Sequence, residues 1–417
     1  DVYRQHRYLN KEDCFTENEK QQMMEITEKM DDVTAQDALK NLSSYLKLLY
    51  GKKVLIFLDE YDTPMQEAYI NGYWDEFTGF MRGLFNATFK TNPYLERAIM
   101  TGITRASKES VFSDLNNLTV ITTTSDQYAD CFGFTEEEVF KTLDQFGMSD
   151  KKQIVKQWYD GFSFGPFKDI YNPWSITNYL KEKKLRPYWA STSSNGLISK
   201  LLQSASANMK TQLEELLNGK QIIVNFDEQI IFGQLEQDEN AVWSLLVASG
   251  YLKVEEIEYK GMTLEPWYHL AVTNLETISM FSNMFKGWFA TASANYNEFI
   301  KAMLVGNVKA MNLYMNDIAL ATFSSFDVGK HFSQRSQPER FYHGFVLGLL
   351  VEVRDLYEIR SNRESGYGRY DVMLIPKTKE NDGIILEFKV KESEEKTLEE
   401  TVQTALAQIE AKKYDAE

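Results

Sequence analysis

Two adjacent carboxylates follow an apolar strand in the first part of the chain. Residues 54–62 read Val-Leu-Ile-Phe-Leu-Asp-Glu-Tyr-Asp, so Asp59 and Glu60 come directly after five large apolar residues. Such a run is typical of a strand buried on both faces of a parallel sheet, and acids at its carboxyl end lie where α/β sheets bind ligands. This Walker B pattern predicts nucleotide hydrolysis, in which Asp59 holds Mg²⁺ and Glu60 orients the attacking water. The alternative is a polar strand end without a catalytic role.

The phosphate-binding loop that accompanies such a strand is not found in these 417 residues. Its pattern is Gly-x-x-x-x-Gly-Lys-Ser/Thr. The Gly-Lys pairs at 51–52, 219–220 and 329–330 are not followed by Ser or Thr, and the chain begins at Asp1 without an initiator Met. We therefore expect a fragment whose upstream part carried the loop, so that ATP binds the intact protein and not this chain. The alternative is a protein that has lost nucleotide binding.

A second group of chemically competent residues lies near the carboxyl end of the sequence. Asp371 opens the strand Asp-Val-Met-Leu-Ile, and Glu387 and Lys389 lie in Ile-Ile-Leu-Glu-Phe-Lys-Val at 384–390. Side chains alternate along a strand, so Glu387 and Lys389 point to one face. If the two strands pair, Asp371 comes beside Glu387, and both carboxylates and the lysine meet over one Mg²⁺ or Mn²⁺. That arrangement predicts phosphodiester hydrolysis, because the metal activates a water and the lysine offsets developing charge.

Each part of this second group also has an ordinary explanation. An Asp…Glu-x-Lys pattern arises by chance in most proteins of this size. A charged residue inside an apolar strand is less ordinary, because burying it without a partner costs several kcal/mol. Glu339, on a preceding helix, could supply a further carboxylate outside the first coordination sphere of the metal.

The elements that must position the first acid pair form a βαβ unit. After the strand at 54–58, the pattern predicts an amphipathic helix over 72–90 and a second strand over 97–104, with a further short strand at 120–124. Thr104 and Arg105 come at the end of the second strand. Arg105 could contact a phosphate of the nucleotide, and the alternative is a surface arginine.

The remaining patterns predict a helical centre and an ordered carboxyl-terminal unit. Thr135 and Glu138 form a capping box for a helix over 135–146. Residues 161–173 indicate a loop rich in Gly, Pro and aromatic residues, and 174–335 indicate a mostly helical region with a strand over 251–257. The last part has the order αβββα: a helix over 338–353, strands over 356–361, 370–375 and 384–390, and a helix over 397–413.

The composition restricts location and partners. A hydrophobic content of 43% is ample for packed cores, and no apolar run approaches the length of about 18 residues that crosses a bilayer. The two cysteines, Cys14 and Cys131, do not suggest a disulfide framework, which favours a reducing cytoplasm. The net charge of −16 excludes a uniformly basic surface and leaves a local basic groove for nucleic acid open. We expect nucleic acid as a partner and no membrane, and the sequence leaves a homo-oligomer open.

The motifs together resemble a known family. The resemblance is carried by Phe-Leu-Asp-Glu-Tyr-Asp-Thr-Pro at 57–64, Thr-Gly-Ile-Thr-Arg at 101–105, Tyr-Asn-Pro-Trp-Ser at 171–175, Tyr-Trp-Ala-Ser-Thr-Ser-Ser-Asn at 188–195 and Leu-Glu-Phe-Lys at 386–389. With these motifs the chain resembles, over nearly its whole length, the bacterial AAA-ATPase-like family. Members of that family usually end in a PD-(D/E)XK nuclease superfamily domain.

The resemblance implies an α/β multidomain fold. It implies a P-loop-type parallel α/β ATPase domain over 1–170, truncated at its start and lacking its phosphate loop. A helical and winged-helix-like middle region would follow over 171–335. A C-terminal α/β restriction-endonuclease-like domain, truncated at its end, would cover 336–417.

The resemblance also implies roles for individual residues. Asp59 and Glu60 match the Walker B acids, and Thr104 and Arg105 lie at the sensor strand. Three residues match the nuclease triad, and two more match its helix positions: Asp371, Glu387 and Lys389 for the triad, Glu339 and Gln408 for the helices.

These observations predict a cytoplasmic bacterial ATPase with a metal-dependent, nuclease-like C-terminal domain. In the intact protein, ATP turnover would gate phosphodiester hydrolysis. The first alternative is an ATP-dependent regulatory switch whose nuclease fold only binds nucleic acid or a partner. The second is a helical scaffold with vestigial acid clusters, which would be favoured if Asp371 and Glu387 lay far apart or on opposite faces.

Overall fold

The computed structural model describes residues 2–103, 115, 118–190, 196–228, 235, 238–288, 293–326, 336–365, 368–387 and 397–412. These residues form a mixed α/β structure of many helices and small sheets. Short 3₁₀ helices lie at Arg7–Lys11 and Ser149–Lys151, and a π-helical turn lies at Asn86–Lys90. The α-helices are α1 Val2–Gln5, α2 Glu17–Glu25, α3 Asp32–Tyr50, α4 Thr63–Asn71, α5 Trp74–Phe85, α6 Glu136–Gln145, α7 Lys152–Tyr159, α8 Pro173–Glu182, α9 Gly196–Ser204, α10 Ala207–Leu217, α11 Asn240–Ala248, α12 Leu275–Trp288, α13 Ser293–Leu304, α14 Val308–Phe326, α15 Ser336–Glu352 and α16 Leu398–Lys412.

Within the described ranges, the strands form one parallel pair and three antiparallel sheets. The pair is β1-β2, and the sheets have the orders β3-β5-β4, β6-β8-β7 and β11-β10-β9. The strand bounds are β1 Val54–Leu58, β2 Leu95–Met100, β3 Phe134–Thr135, β4 Phe162–Phe164, β5 Phe167–Tyr171, β6 Ile222–Val224, β7 Leu252–Lys260, β8 Glu265–Val272, β9 Tyr357–Ser365, β10 Gly368–Pro376 and β11 Ile384–Leu386.

The chain divides into two compact units. One comprises Asp1–Tyr128 with Phe226–Ser249, and the other comprises Ala129–Asn225 with Gly250–Glu417. Compactness does not locate functional boundaries, so the division at 1–170, 171–335 and 336–417 stays a prediction. No helix in the described ranges is both long and apolar enough to cross a membrane.

The first unit contains the expected strand–helix–strand arrangement. Strand β1 pairs with β2 in parallel, with Leu58 opposite Met100. The helix expected over 72–90 forms as α5, which continues into the π-helical turn at Asn86–Lys90, and a further helix, α4, precedes it. Gly72, with a φ of 81°, ends α4 in a left-handed conformation that glycine adopts without strain.

Burial of β1 on both faces was a wrong prediction. Ile56 and Leu58 pack on a core that includes Met65 and Phe85, but the alternate residues are exposed: Leu55 by 57% and Phe57 by 71%. Among the described residues, the helices of this core cover one face of the strand pair. An apolar run therefore does not by itself specify that both faces of a strand are covered.

The short strand expected at 120–124 does not form. The hydroxyls of Thr122 and Thr124 instead donate hydrogen bonds to the Glu228 carboxylate at 2.8 and 2.7 Å. Side-chain hydrogen bonds of this kind compete with ladder formation in threonine-rich segments.

The second unit begins with a helix that follows its sequence signals. Thr135 caps α6, its hydroxyl accepting from the Glu138 backbone, while the Glu138 side chain accepts from the Thr135 backbone. The capping box is therefore confirmed.

The prediction of a loop over 161–173 is wrong. Residues 162–164 and 167–171 form the β4-β5 hairpin, which turns at Gly165-Pro166, and α8 starts at Pro173.

The carboxyl-terminal part has the predicted αβββα order. Helix α15 is followed by the antiparallel strands β9, β10 and β11 and then by α16. Val372 and Leu374 are fully buried on one face of β10. On the other face, Met373 packs with Ile385 and with Ile409 of α16. Strand β10 is thus the central, two-sided element of this part.

A buried carboxylate ties together three segments of the second unit. Glu276, in the first turn of α12, has no exposed surface. One of its oxygens accepts from the Ser175 hydroxyl at 2.8 Å, and the other accepts from the backbone N–H groups of Trp189 at 2.7 Å and Ala190 at 3.4 Å. Burial raises the pKa of Glu276, and these hydrogen bonds oppose that shift.

We expect Glu276→Ala to lower the free energy of unfolding by about 2–4 kcal/mol, because it leaves buried donors without an acceptor. Glu276→Gln keeps one carbonyl oxygen for the backbone donors, and its amide can donate to the Ser175 hydroxyl. The glutamine variant should stay within about 1 kcal/mol of the parent. Urea unfolding followed by circular dichroism measures both, and equal losses in the two variants would contradict this account.

Candidate functional site

The acid pair at the end of β1 is fastened to the end of β2 through one threonine. The Thr101 hydroxyl donates a short hydrogen bond to Asp59 Oδ1 and accepts from the Glu60 backbone N–H at 3.2 Å. The Thr101 backbone N–H donates to the Leu58 carbonyl at 2.9 Å, and its carbonyl accepts from Tyr61 N–H at 3.0 Å. Because the strands are parallel, their carboxyl ends meet here and these contacts set the direction of both acids.

Asp59 and Glu60 are exposed, as a site that receives a ligand from solvent requires. Glu60 has a φ of 50°, in the left-handed region that a non-glycine residue adopts at a cost of about 1–3 kcal/mol. Such conformations are concentrated at functional sites, where the surrounding hydrogen bonds hold them. Thr104 and Arg105, which were predicted to complete this site, lie outside the described residues.

Gly102 permits close contact beneath this acid pair. A Cβ at Gly102 would lie 2.6 Å from Asp62 Oδ1 and 2.8 Å from the Tyr61 ring. Asp62 is 1% exposed, so its carboxylate has little room to retreat. The hydroxyl of Thr101 thus holds Asp59, and the absence of a side chain at Gly102 leaves the space that the Asp62 carboxylate occupies.

The strand register brings together the second pair of predicted acids. Val372 of β10 lies opposite Leu386 of β11 in the antiparallel ladder. Continued by one residue, this register places Asp371 directly opposite Glu387. Directly opposite residues point to the same face with Cβ atoms about 5 Å apart. Both side chains are half-buried.

Helix α16 contacts this acid pair. Gln408 Nε2 donates a hydrogen bond of 2.7 Å to Glu387 Oε1. The next residue, Ile409, packs on the apolar group of Met373 and Ile385. Apolar packing therefore sets the position of the helix, and the neighbouring amide orients the Glu387 carboxylate.

Two further predicted residues are not placed by the structure. Lys389 falls in 388–396, beyond the described part of the chain. Glu339 belongs to α15, but its side chain is not among those described. The structure therefore brings Asp371, Glu387 and Gln408 together and leaves the roles of Lys389 and Glu339 as predictions.

The donor set fits a hard divalent cation. Asp371 and Glu387 offer carboxylate oxygens on one face, as Mg²⁺ and Mn²⁺ prefer. The Gln408 amide holds the Glu387 carboxylate by a hydrogen bond, a contact of the kind that usually orients metal-binding side chains.

Sequence reasoning did not identify the contact of Thr101 with Asp59. A polar residue at the end of a neighbouring parallel strand was the available signal, but hydrogen bonding between two strand ends depends on their register. A further group of carboxylates, at Glu136, Asp160 and Asp169, was also missed because its members lie in three separate segments of the chain.

Both ends of the chain match family models. Residues 4–112 match the family described as Predicted AAA-ATPase, and residues 337–417 match the PD-(D/E)XK nuclease superfamily. These matches confirm the expected arrangement of an AAA-ATPase-like part followed by a nuclease-superfamily part.

A curated protein is also similar to the chain. The "Uncharacterized protein in vnfD 5'region" of Azotobacter chroococcum mcd 1 is 26% identical over 227 residues, which are 54% of this chain and 41% of that protein. The chain thus spans about two-fifths of the length of this relative. No solved structure matches this chain.

We expect Gly102→Ala to lower the free energy of unfolding by about 1–3 kcal/mol, because the added methyl group overpacks against the buried Asp62. Gly79→Ala is the matched control, since a Cβ there meets nothing within 4 Å in the middle of α5. That substitution should stabilise the protein by about 0.5–1 kcal/mol through helix propensity. Thermal unfolding of the two variants tests both signs, and stabilisation by Gly102→Ala would contradict the close packing.

Proposed function

We propose that the intact protein is an ATPase whose C-terminal domain hydrolyses phosphodiester bonds with Mg²⁺ or Mn²⁺. The observation that supports this most directly is the register that places Asp371 opposite Glu387, with Gln408 bonded to Glu387. The match of 337–417 to the PD-(D/E)XK superfamily supports the same chemistry, since nucleases of this superfamily are typically Mg²⁺-dependent. DNA or RNA is the proposed substrate, and the cytoplasm is the proposed location.

In this proposal, Asp371 and Glu387 hold the metal. When bound, the ion supplies an activated water and neutralises charge on the phosphate. Gln408 keeps Glu387 oriented through its amide. Lys389 orients the nucleophile and offsets the charge that develops on the phosphate oxygens. Glu339 acts from outside the first coordination sphere.

The amino-terminal part is proposed to bind and hydrolyse ATP in the intact protein. Asp59 would hold Mg²⁺ and Glu60 would orient the attacking water. The contact of Thr101 with Asp59 supports this assignment, because it holds the carboxylate at the strand end where a nucleotide's metal would sit. Thr104 and Arg105 are proposed nucleotide contacts, and ATP turnover is proposed to gate the nuclease domain.

The two alternatives differ in what they require of the second acid pair. A scaffold with vestigial clusters needs no particular relation between Asp371 and Glu387, whereas the register puts them face to face. The regulatory switch is compatible with that geometry. It differs from the enzyme in binding nucleic acid without cutting it.

We expect the full-length parent to cleave DNA or RNA with Mg²⁺ or Mn²⁺, and Glu387→Gln, Asp371→Asn and Lys389→Ala each to abolish cleavage. Gln408→Ala should retain the ligands but lower the rate about 10–100-fold, the usual effect of losing an outer contact to a metal ligand. Glu399→Gln, on the exposed first turn of α16, is the control that changes charge on the same helix. The assay is gel analysis of labelled single- and double-stranded substrates, with and without ATP.

Full cleavage by the Glu387→Gln variant would remove the metal-site assignment. Retained nucleic-acid binding without cleavage by the parent, across both metals and both nucleotide conditions, would instead favour the switch. A loss in Glu399→Gln equal to that in Gln408→Ala would indicate a general effect of substitutions on α16.

We expect isothermal calorimetry of this 417-residue chain with Mg²⁺-ATP to show no binding, because its sequence lacks a phosphate-binding loop. The matched positive arm is a longer parent that contains such a loop. Its binding should weaken in Asp59→Asn, which removes the proposed metal ligand. Tight ATP binding by the 417-residue chain would refute the role assigned to the loop.

A further inference from the structure

Three carboxylates converge on one point of the second unit, within the Ala129–Asn225 stretch. Glu136, Asp160 and Asp169 each offer an oxygen, and these oxygens all lie within 4.8 Å of one another. None of the three belongs to the acid pairs described above.

Secondary structure fixes this convergence. Thr135 of β3 lies opposite Ile170 of β5, so Glu136, the first residue of α6, and Asp169 of β5 each adjoin a member of one paired position. Asp160 follows the last residue of α7. That helix packs through Val155 and Tyr159 into the core that also contains Tyr171.

Asp160 is the buried member of the group. It is 8% exposed, its carboxylate faces the other two, and no donor in the described ranges forms a hydrogen bond with its Oδ1. A buried carboxylate oxygen without a donor is costly, and a bound cation satisfies it. This orphaned oxygen distinguishes the group from an ordinary acidic surface.

One ammonium group lies among the three acids. Lys156 Nζ forms a short contact with Glu136, lies 3.4 Å from Asp169 Oδ1 and lies 3.7 Å from Asp160 Oδ2. A single positive charge cannot offset three negative ones. Burial and the adjacent Asp169 carboxylate raise the pKa of Asp160 to about 7.

We propose that Glu136, Asp160 and Asp169 form a binding site for a hard divalent cation, separate from both sites of the proposed function. Oxygen ligands lie at about 2.3–2.6 Å from Ca²⁺, so ligands on opposite sides of one ion are separated by at most about 5 Å. The oxygen spacing of 4.8 Å or less falls within that limit. The positive charge of the ion compensates the negative charge of the three carboxylates, which Lys156 alone leaves in excess.

Binding of the ion requires Lys156 to move. Its side chain is 34% exposed, and a lysine can swing its ammonium into water while its methylene groups stay packed. Lys156 and the ion thus compete for the same carboxylates. Because of this competition, we expect that removing the charge of Lys156 strengthens ion binding.

The experiment is calorimetric titration of the 417-residue chain with Ca²⁺, Mg²⁺ and Mn²⁺ at pH 8. The chain carries Asp59→Asn, Asp371→Asn and Glu387→Gln, so that neither site of the proposed function contributes, and the signal is independent of any activity. We expect one ion to bind, with the affinity lowered about tenfold or more by Asp169→Asn and by Glu136→Gln, since affinity follows ligand charge. Lys156→Gln should raise the affinity.

Asp169→Asn is the most conservative of these variants. Asp169 has a φ of 58°, a conformation that asparagine tolerates as well as aspartate. Asp160→Asn alters a buried side chain and could therefore disturb folding, so the test relies on the Asp169 and Glu136 variants instead. Far-UV circular dichroism checks that each variant is folded.

Two results would overturn the proposal. One is the absence of binding by all three ions at millimolar concentration in the folded background chain. The other is binding that is unchanged by both Asp169→Asn and Glu136→Gln, which would place the ion elsewhere. Weaker binding in Lys156→Gln would contradict the competition and assign the lysine a supporting role. Because the background chain lacks the Asp371 and Glu387 carboxylates, each result stands apart from failure of the nuclease proposal.

Discussion

Strand register is the constraint on which both predicted acid pairs of this protein depend. Side chains alternate between faces, so a slip of one residue turns a whole set of side chains to the opposite face. Asp371 meets Glu387 only because Val372 pairs with Leu386. The parallel alignment of β1 with β2 likewise carries Thr101 to Asp59. These sites are therefore consequences of backbone pairing before they are matters of side-chain chemistry.

Apolar packing in turn fixes the register. In the carboxyl-terminal part, Met373, Ile385 and Ile409 pack on the face of β10 that also carries Asp371. A slip of one residue would turn Asp371 to the opposite face of β10, where Val372 and Leu374 are fully buried, and would bring those two side chains to the face of the acids. The burial of these side chains thus stabilises the only register in which the acids face one another, and it holds α16 where Gln408 reaches Glu387.

Sequence patterns predicted the elements whose signals are local. The capping box at Thr135 and Glu138 depends on residues three positions apart, and it formed as expected. The αβββα order followed from apolar periodicity within each segment. In contrast, burial of Leu55 and Phe57 depends on which elements cover a sheet, and periodicity carries no such information. The pairing of residues 162–164 with 167–171 was hidden by a glycine and proline content that is typical of loops.

The acid groups also differ in how far the sequence predicts them, because the members of some are close together in the chain and those of another are not. The Asp59-Glu60 pair is contiguous, and Asp371 and Glu387 lie in strands close together in the chain. Pattern alone could therefore place the members of each pair together. Glu136, Asp160 and Asp169 come from a helix start, a helix end and a strand, so only the folded structure shows that they meet.

The three groups of acids also differ in what compensates their charge, and this difference bears on what each can bind. Asp59 accepts from the Thr101 hydroxyl and Glu387 accepts from the Gln408 amide, and both donors are neutral. A neutral donor orients a carboxylate without cancelling its charge, so the acid keeps its attraction for a cation. Lys156, by contrast, cancels one charge among three acids and must be displaced before an ion can take its place. An ion at the lysine-containing group would therefore bind against a competitor that belongs to the chain, whereas an ion at either of the other two would meet carboxylates that a neutral donor already orients.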